Sequence, residues 1–510
     1  LILSANSGMG SGNNHIETSI NTLTSYAGSD GMYITETNAI TIDSQTININ
    51  RVDAISKDTL TNNDSQADLT TILSGNIVLL AGDTITINEG YDLNRKAVYA
   101  GGAGNILLKA MHNEIHINDT AKIISDTGHI TIVAANDINQ LANANISTTN
   151  GCIDLKATAG AITMDNYAMT YTGTGNIGLL AEGDIQLGGL IAGTGDICIT
   201  SSNGSILDNG DRFKDIQAVA LRMNAGIGIG TLGIENDEAI DISVEKLTAH
   251  AGSAGINILE ENDIEINTIN VTINHVGLDG KTTLETHADQ SDLKTSSNGA
   301  IILQTITGAI TIDDSQDIKA HGTGNVLLNA SGNEKDIIFL MDSDVNSGSG
   351  NITLLAQNSI SQHTDSDIQT TTGDIYIKAA HGTITMDDKA SASTGNDTGD
   401  IHYFANNNIT IGGINAGTGN VDLYSQTGSI LDGGDTYKDI QAASLRMGAL
   451  ISIGELQTPN PLDIAVDTIT SKAGKGGISL FEDDDIVISD VAVTMNVVNP
   501  DSTIHIEEFA

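Results

Sequence analysis

The sequence predicts an all-β fold, an elongated parallel β-helix (β-solenoid) of about 20–22 coils with roughly 20–29 residues in each. Three observations predict it. A long repeat returns after 224 residues, seen best where GSILDNGDRFKDIQAVALRM (Gly204 to Met223) comes back as GSILDGGDTYKDIQAASLRM (Gly428 to Met447). Within each long repeat a short motif recurs, a Gly followed by apolar residues at every second position. The composition has 55 Gly, 3 Pro, no Trp and 3% aromatics, which suits a narrow aliphatic stack better than a bulky globular core.

The short motif reads Gly, any residue, Ile or Val, any residue, Ile or Leu, any residue, Ala or Ser. It starts at Gly75, Gly104, Gly128, Gly151 and Gly175, and again at Gly324, Gly350, Gly373 and Gly419. Apolar residues at even steps give a strand with one buried face. A second strand of the same period follows four or five residues later, as in Ile85-Thr86-Ile87, Ile115-His116-Ile117 and Ile310-Thr311-Ile312. Turn residues such as Gly82-Asp83, Asn136-Asp137 and Gly183-Asp184 lie between the two. No segment carries a capped helical stripe, so crossover helices are not expected. An antiparallel sandwich would not return one motif in phase over hundreds of residues.

A second marker recurs at LTSYAGSDGMYI (around Gly28), LTAHAGSAGINI (around Gly252) and ITSKAGKGGISL (around Gly474). It divides the chain into residues 1–27, the end of a preceding unit; 28–251, a first unit; 252–473, a second; and 474–510, the start of a third. Leu1-Ile2-Leu3-Ser4-Ala5 reads as mid-strand, and LSANSGMGSG from Leu3 aligns with LRMNAGIGIG from Leu221. The sequence is therefore expected to be a window of a longer polypeptide. Two stretches, Arg51 to Thr71 and Gly277 to Ser297, read as polar insertions particular to one unit, where a solenoid can vary without breaking its core. Open coil ends would present unpaired strand edges, so the chain is expected to associate end to end.

The blocks GSILDNGD…KDIQAVALRM, AGIGIG, AIDISVEKLTAHAG and GINILEENDIEI resemble the repeats of filamentous-haemagglutinin-like proteins, very large bacterial surface or secreted proteins with β-helical shafts. The resemblance spans nearly the whole chain. It implies a right-handed coil, an extracellular or cell-surface location, and a role in a fibre or an adhesin. The family's amino-terminal secretion module is not found here, as expected of an internal window. Nor is there an Arg-Gly-Asp triplet for integrin recognition.

Charge narrows the partners. With 65 acidic residues against 21 Lys plus Arg, the formal charge is −44. Nucleic acid and anionic membrane surfaces are therefore not expected partners. No run of 18 apolar residues exists to span a bilayer. Spread along a rod on the order of 100 Å, the charge approaches one per 2–3 Å, against one per ~1.7 Å for duplex DNA. Lateral association between copies is then expected to need divalent cations. Other partners expected are the same chain in end-to-end assembly and, for an adhesin, surface glycans or another cell.

Catalysis is not expected. The five arginines are Arg51, Arg95, Arg212, Arg222 and Arg446, and the last two are repeat copies of one another, read as outward ladder residues that pair with acids. No cofactor is required. Candidate metal ligands are Asp208, Asp211 and Asp215, their copies Asp432, Asp435 and Asp439, and Asp483 and Asp485 in an acidic turn that corresponds to Glu260-Glu261-Asp263. Carboxylates and turn carbonyls at close range suit Ca²⁺ or another divalent cation, which takes six to eight oxygens. The bland alternative is that these acids satisfy backbone groups at tight turns. His112 and His116 flank Glu114, yet on a strand they share no helical face for zinc. Cys152 and Cys198 read as outward residues two rungs apart, roughly 10 Å at a strand spacing of about 4.8 Å, too far for a disulfide. Two functional classes follow, a structural shaft and an adhesin. A β-helix enzyme acting on polysaccharides comes third.

Overall fold

The computed structural model describes every residue except 63–64, 91–95, 211–212, 234–237, 396–397, 435–437, 457–459 and 483. The chain is all-β, a solenoid of about 19 turns built from parallel strands. Among the described residues no helix is long and apolar enough to cross a membrane. The turn count falls below the expected 20–22 because three hairpins take residues out of the coils.

A coil has three short strands where the motif shows two. Ile106–Ala110 and Ile115–Ile117 are the legible pair, and Lys122–Ser125 is the third. All three lie parallel to the next coil's strands, with Ile106 over Ile130, Ile115 over Ile138 and Ile123 over Ile146. The third strand has a weak apolar signature, because it buries one aliphatic and closes on Ser or Thr. The inward column Ile77, Ile106, Ile130, Ile153, Ile177, Ile197 is fully buried. Each such side chain contributes about 1.5–3 kcal/mol, which ordering the backbone at roughly 1–2 kcal/mol per residue largely cancels. A coil therefore holds only against its neighbours.

The motif glycines stack at one corner. A Cβ at Gly151 would lie 1.9 Å from the Gly128 carbonyl oxygen, and one at Gly373 2.1 Å from that of Gly350. The same carbonyls accept from the buried hydroxyls that end the third strand. Thr148 donates to Gly128 at 2.9 Å, and Thr370 to Gly350 at 2.8 Å. Only glycine permits that approach.

Contacts group the chain into two units, Leu1–Gly226 with Asn270–Asp289, and Ile227–Ile269 with Gln290–Ala510. Among the described residues three two-stranded hairpins stand outside the coils. They pair Asn48–Val52 with Asp58–Asn62, Ile269–Val276 with Thr282–Gln290, and Val493–Val498 with Ile504–Phe509. The stretches expected to be unit-specific polar loops are thus parts of a recurring hairpin. Residues 43–71 match residues 267–295 without a gap, and the third hairpin follows the third marker in the same way. The reason they read as loops is that their apolar residues are buried by distant coils and carry no local core signature.

Candidate functional site

The second hairpin lies on the flank of the first unit and the third on the flank of the second. Two outward columns of each unit receive it. The first column is the residue after the motif Gly, read above as any residue. It is Asn, Asp, His or Cys in successive coils, and its side chain accepts the backbone N–H of its counterpart one coil on. Asn76 accepts from Asn105 at 2.9 Å, Asn105 from His129 at 2.8 Å, and His129 Nδ1 from Cys152 at 2.8 Å. In the second unit Asn325 accepts from Asn351 at 2.9 Å, Asn351 from Asp374 at 2.9 Å, and Asp374 from Asp400 at 2.9 Å. His129 accepts through Nδ1, so its proton sits on Nε2.

These residues keep a second valence for the hairpin. Asn105 donates to Gly280 O at 2.9 Å and Asn176 to Thr272 O at 2.8 Å. In the second unit Asn325 donates to Ser502 O at 3.0 Å. Asp374 accepts there from both Asn496 N, at 2.8 Å, and Asn496 Nδ2, at 2.7 Å.

The second column stands two residues further along. In the first unit it runs Val78, Leu107, Thr131, Asp154, Gly178, Cys198, Arg222. In the second it runs Ile302, Leu327, Thr353, Tyr376, His402, Asp422, Arg446. Its apolar end packs on the hairpin: Val276 with Val78, Leu107 and Tyr33, and Val498 with Ile302 and Leu327. At its middle Val276 donates N–H to Thr131 Oγ1 and Val498 to Thr353 Oγ1, both at 2.9 Å and both 145 residues back along the chain.

The polar ends differ. In the second unit His402 stacks between Tyr376 (5.0 Å) and Phe509 (4.1 Å). Its Nδ1 lies 2.8 Å from Asp422, a fully buried carboxylate that also takes Arg446 at 2.8 Å. Burial raises the Tyr376 hydroxyl, and nearby Glu507 adds to the shift. In the first unit Asp154 pairs with His275 at 2.7 Å, and Arg222 Nη1 lies 3.5 Å from Cys198 Sγ. Burial pushes the Cys198 thiol up, against the Arg222 charge. Burial also pushes the Cys152 thiol up, but His129 and the backbone of Asn274 and Asn176 outweigh it and leave it at about 7. Both cysteines are free. Both occupy outward positions, as expected, and are nevertheless buried, because the hairpin covers the outward positions on this flank. The Arg446–Asp422 pair matches the ladder reading of the arginines.

Five of the eight candidate metal ligands lie among the described residues. Asp211, Asp435 and Asp483 lie outside the described residues. Asp208 ends the strand Ile206–Asp208, while Asp215 is buried. Asp432 accepts Gly434 N–H at 2.7 Å, and buried Asp439 accepts Asp463 N–H at 2.6 Å, both backbone roles. Asp485 is exposed. In the corresponding acidic turn Glu260 is buried and accepts from Val244 and Asn262, and Asp263 pairs with Lys335 at 2.8 Å. Of the two histidines flanking Glu114, His116 pairs with it at 2.8 Å, while His112 contacts Gly82 O. Among the described residues no group of three or more His, Cys, Asp or Glu could hold a metal ion. Polar residues after successive motif glycines, at Asn76, Asn105, His129, Cys152 and Asn176 and again at Asn325, Asn351 and Asp374, were the sequence signal for the ladder.

The first column and a third polar column together give a pH dependence. Asp292 accepts from Asp317 N at 2.8 Å, and Asp344 from Asp367 N at 2.9 Å. Burial raises the carboxyls of Asp196, Asp317, Asp344 and Asp400 above the ordinary carboxylate range, and neighbouring acids add to this for the last three. A carboxyl raised in the folded state binds protons more tightly there than when unfolded. Its contribution is full below the ordinary value and is lost as pH rises through the folded one. These carboxyls are therefore expected to favour a higher thermal midpoint just below the ordinary carboxylate range than above it, at fixed ionic strength, while Cys152, held at about 7, and His287, lowered chiefly by burial, work the other way as pH falls below neutrality. A midpoint that falls across the carboxylate range as pH is lowered would contradict this assignment. Asp263 and Asp501, lowered chiefly by hydrogen bonds from Lys335 and Thr503, act in the opposite sense at still lower pH.

The chain matches no family model, no curated protein and no solved structure.

Proposed function

We propose that this chain is a structural shaft of a giant extracellular filament or cell-surface fibre of the filamentous-haemagglutinin type, and not an enzyme. One observation carries the reading: both units strap a hairpin over their own coils through the same Val N–H to Thr Oγ1 bond, 145 residues apart. A strap of this kind ties together coils far apart in sequence, which is what a stack stabilised only by neighbours needs against tension or fraying. The charges beneath it are paired with each other and covered by hairpin residues, which supports a structural role for them. The charge of −44 supports cation-bridged lateral packing of such shafts. Light scattering and electron microscopy of the purified chain at low salt test this. Lateral bundles are expected on adding Ca²⁺ and dispersal on adding chelator; association indifferent to chelator would sink the cation-bridged fibre.

An adhesin is the second reading, favoured by a groove of about 610 Å³ in the second unit. Lys294, Lys319, Asn346, Gln369 and Ser393 succeed one another along it. The corresponding first-unit column begins Thr70, Tyr99, Ile124. Amides and cations in a row suit hydroxyl-rich or acidic glycans. Glycan binding abolished by Lys294→Ala with Lys319→Ala would favour it over the shaft alone.

A further inference from the structure

The three hairpins occupy one repeat position but differ in what covers them. In the second, Val271, Ile273 and Val276 are 0, 1 and 0% exposed; in the third, Val493, Met495 and Val498 are 1, 0 and 2% exposed. The corresponding residues of the first are Ile47, Ile49 and Val52, at 38, 47 and 68%. The same apolar positions are thus filled with the same residue types, and here they face solvent. Asn50 likewise stands where Asn274 and Asn496 approach Cys152 and Asp374, each 122 residues back.

We infer that the hairpin Asn48–Asn62 is a docking element whose occupant is the flank of a further unit of this repeat, placed ahead of it in the polypeptide. The required partner chemistry can be read from the two filled interfaces. It is a parallel-strand flank with two aliphatic outward residues, then a Thr hydroxyl to accept the Val52 N–H, beside a column of Asn or Asp side chains. Among the described residues the two flanks of that kind already carry their own hairpins, so neither is open to the first. An unmatched apolar strand face is otherwise a liability for aggregation. The inference rests on the sibling hairpins and does not depend on the fibre reading.

The test joins residues 72–218 directly ahead of Leu1, since Leu3 aligns with Leu221 and the seam keeps register. Hydrogen exchange of residues 47–52 is then measured in this tandem protein and in the 510-residue chain. Residues 271–276, covered in both, report whether each is folded. Protection of 47–52 is expected to rise by at least about 100-fold in the tandem, while 271–276 stays unchanged. Val52→Asp should remove the gain in the tandem yet leave the midpoint of the 510-residue chain where it was. Unprotected 47–52 in a tandem whose 271–276 segment is protected would overturn the proposal. So would protection in the 510-residue chain that grows with concentration, which would assign the hairpin to contacts between copies.

Discussion

Replacing Gly151 with alanine is expected to destabilise the first unit by at least about 3 kcal/mol, read as a fall in denaturant midpoint. The new Cβ would sit 1.9 Å from the Gly128 carbonyl oxygen and 2.5 Å from its carbon, and both are backbone atoms held by the coil above. Relief requires the two coils to separate at the corner, which also stretches the bond from Thr148 to Gly128 O and the aliphatic contacts inside. Gly413→Ala is the control. Its Cβ would find its nearest atom 3.8 Å away, so its effect should lie between none and a gain of about 0.4–1 kcal/mol from a stiffer unfolded chain. Equal losses in the two variants would mean that glycine serves backbone flexibility here and not the close approach of coils. Because stacked coils need not unfold in one step, each loss should be read from a probe in the affected unit.

Asp422→Ala is expected to cost about 3–5 kcal/mol, the range found when one partner of a buried ion pair is removed. Asp422 is fully buried and is shared by His402 and Arg446, so its removal strands a guanidinium and an imidazole under the third hairpin. Release of that hairpin should accompany the loss, seen as faster hydrogen exchange at Val493–Val498. Asp422→Asn keeps the shape and one acceptor oxygen and should cost less. A change below about 1 kcal/mol for the alanine variant would show that water reaches the site and solvates Arg446. The corresponding first-unit position is Cys198 beside Arg222, so the repeat itself accepts a neutral, polarisable group there, where Gly178 stands in the place of His402.

The two parts of each coil were unequally legible. The strands Ile106–Ala110 and Ile115–Ile117 announce themselves by apolar residues at every second position, whereas Lys122–Ser125 offers buried Ile123 and half-buried Ile124 between two polar residues. The ladder was in view as Asn76, Asn105, His129 and Cys152 after successive glycines, but a column of acceptors has meaning only once the coils are in register. The acidic turns are a similar case. There Glu260 and Asp439 accept backbone N–H groups, a role that an acidic run by itself does not announce.

The sequence by itself determined the parallel stack, its aliphatic interior and its glycine corner, because these follow from a period of two along the strand and a near-constant spacing between coils. Tertiary structure alone decided which outward residues meet water. Cys152, Asp154 and His402 are buried by hairpins that return from 121 or more residues along the chain in the first unit and from a similar distance in the second. Local periodicity carries no record of such a contact, since burial there is set by a surface that the chain has yet to make.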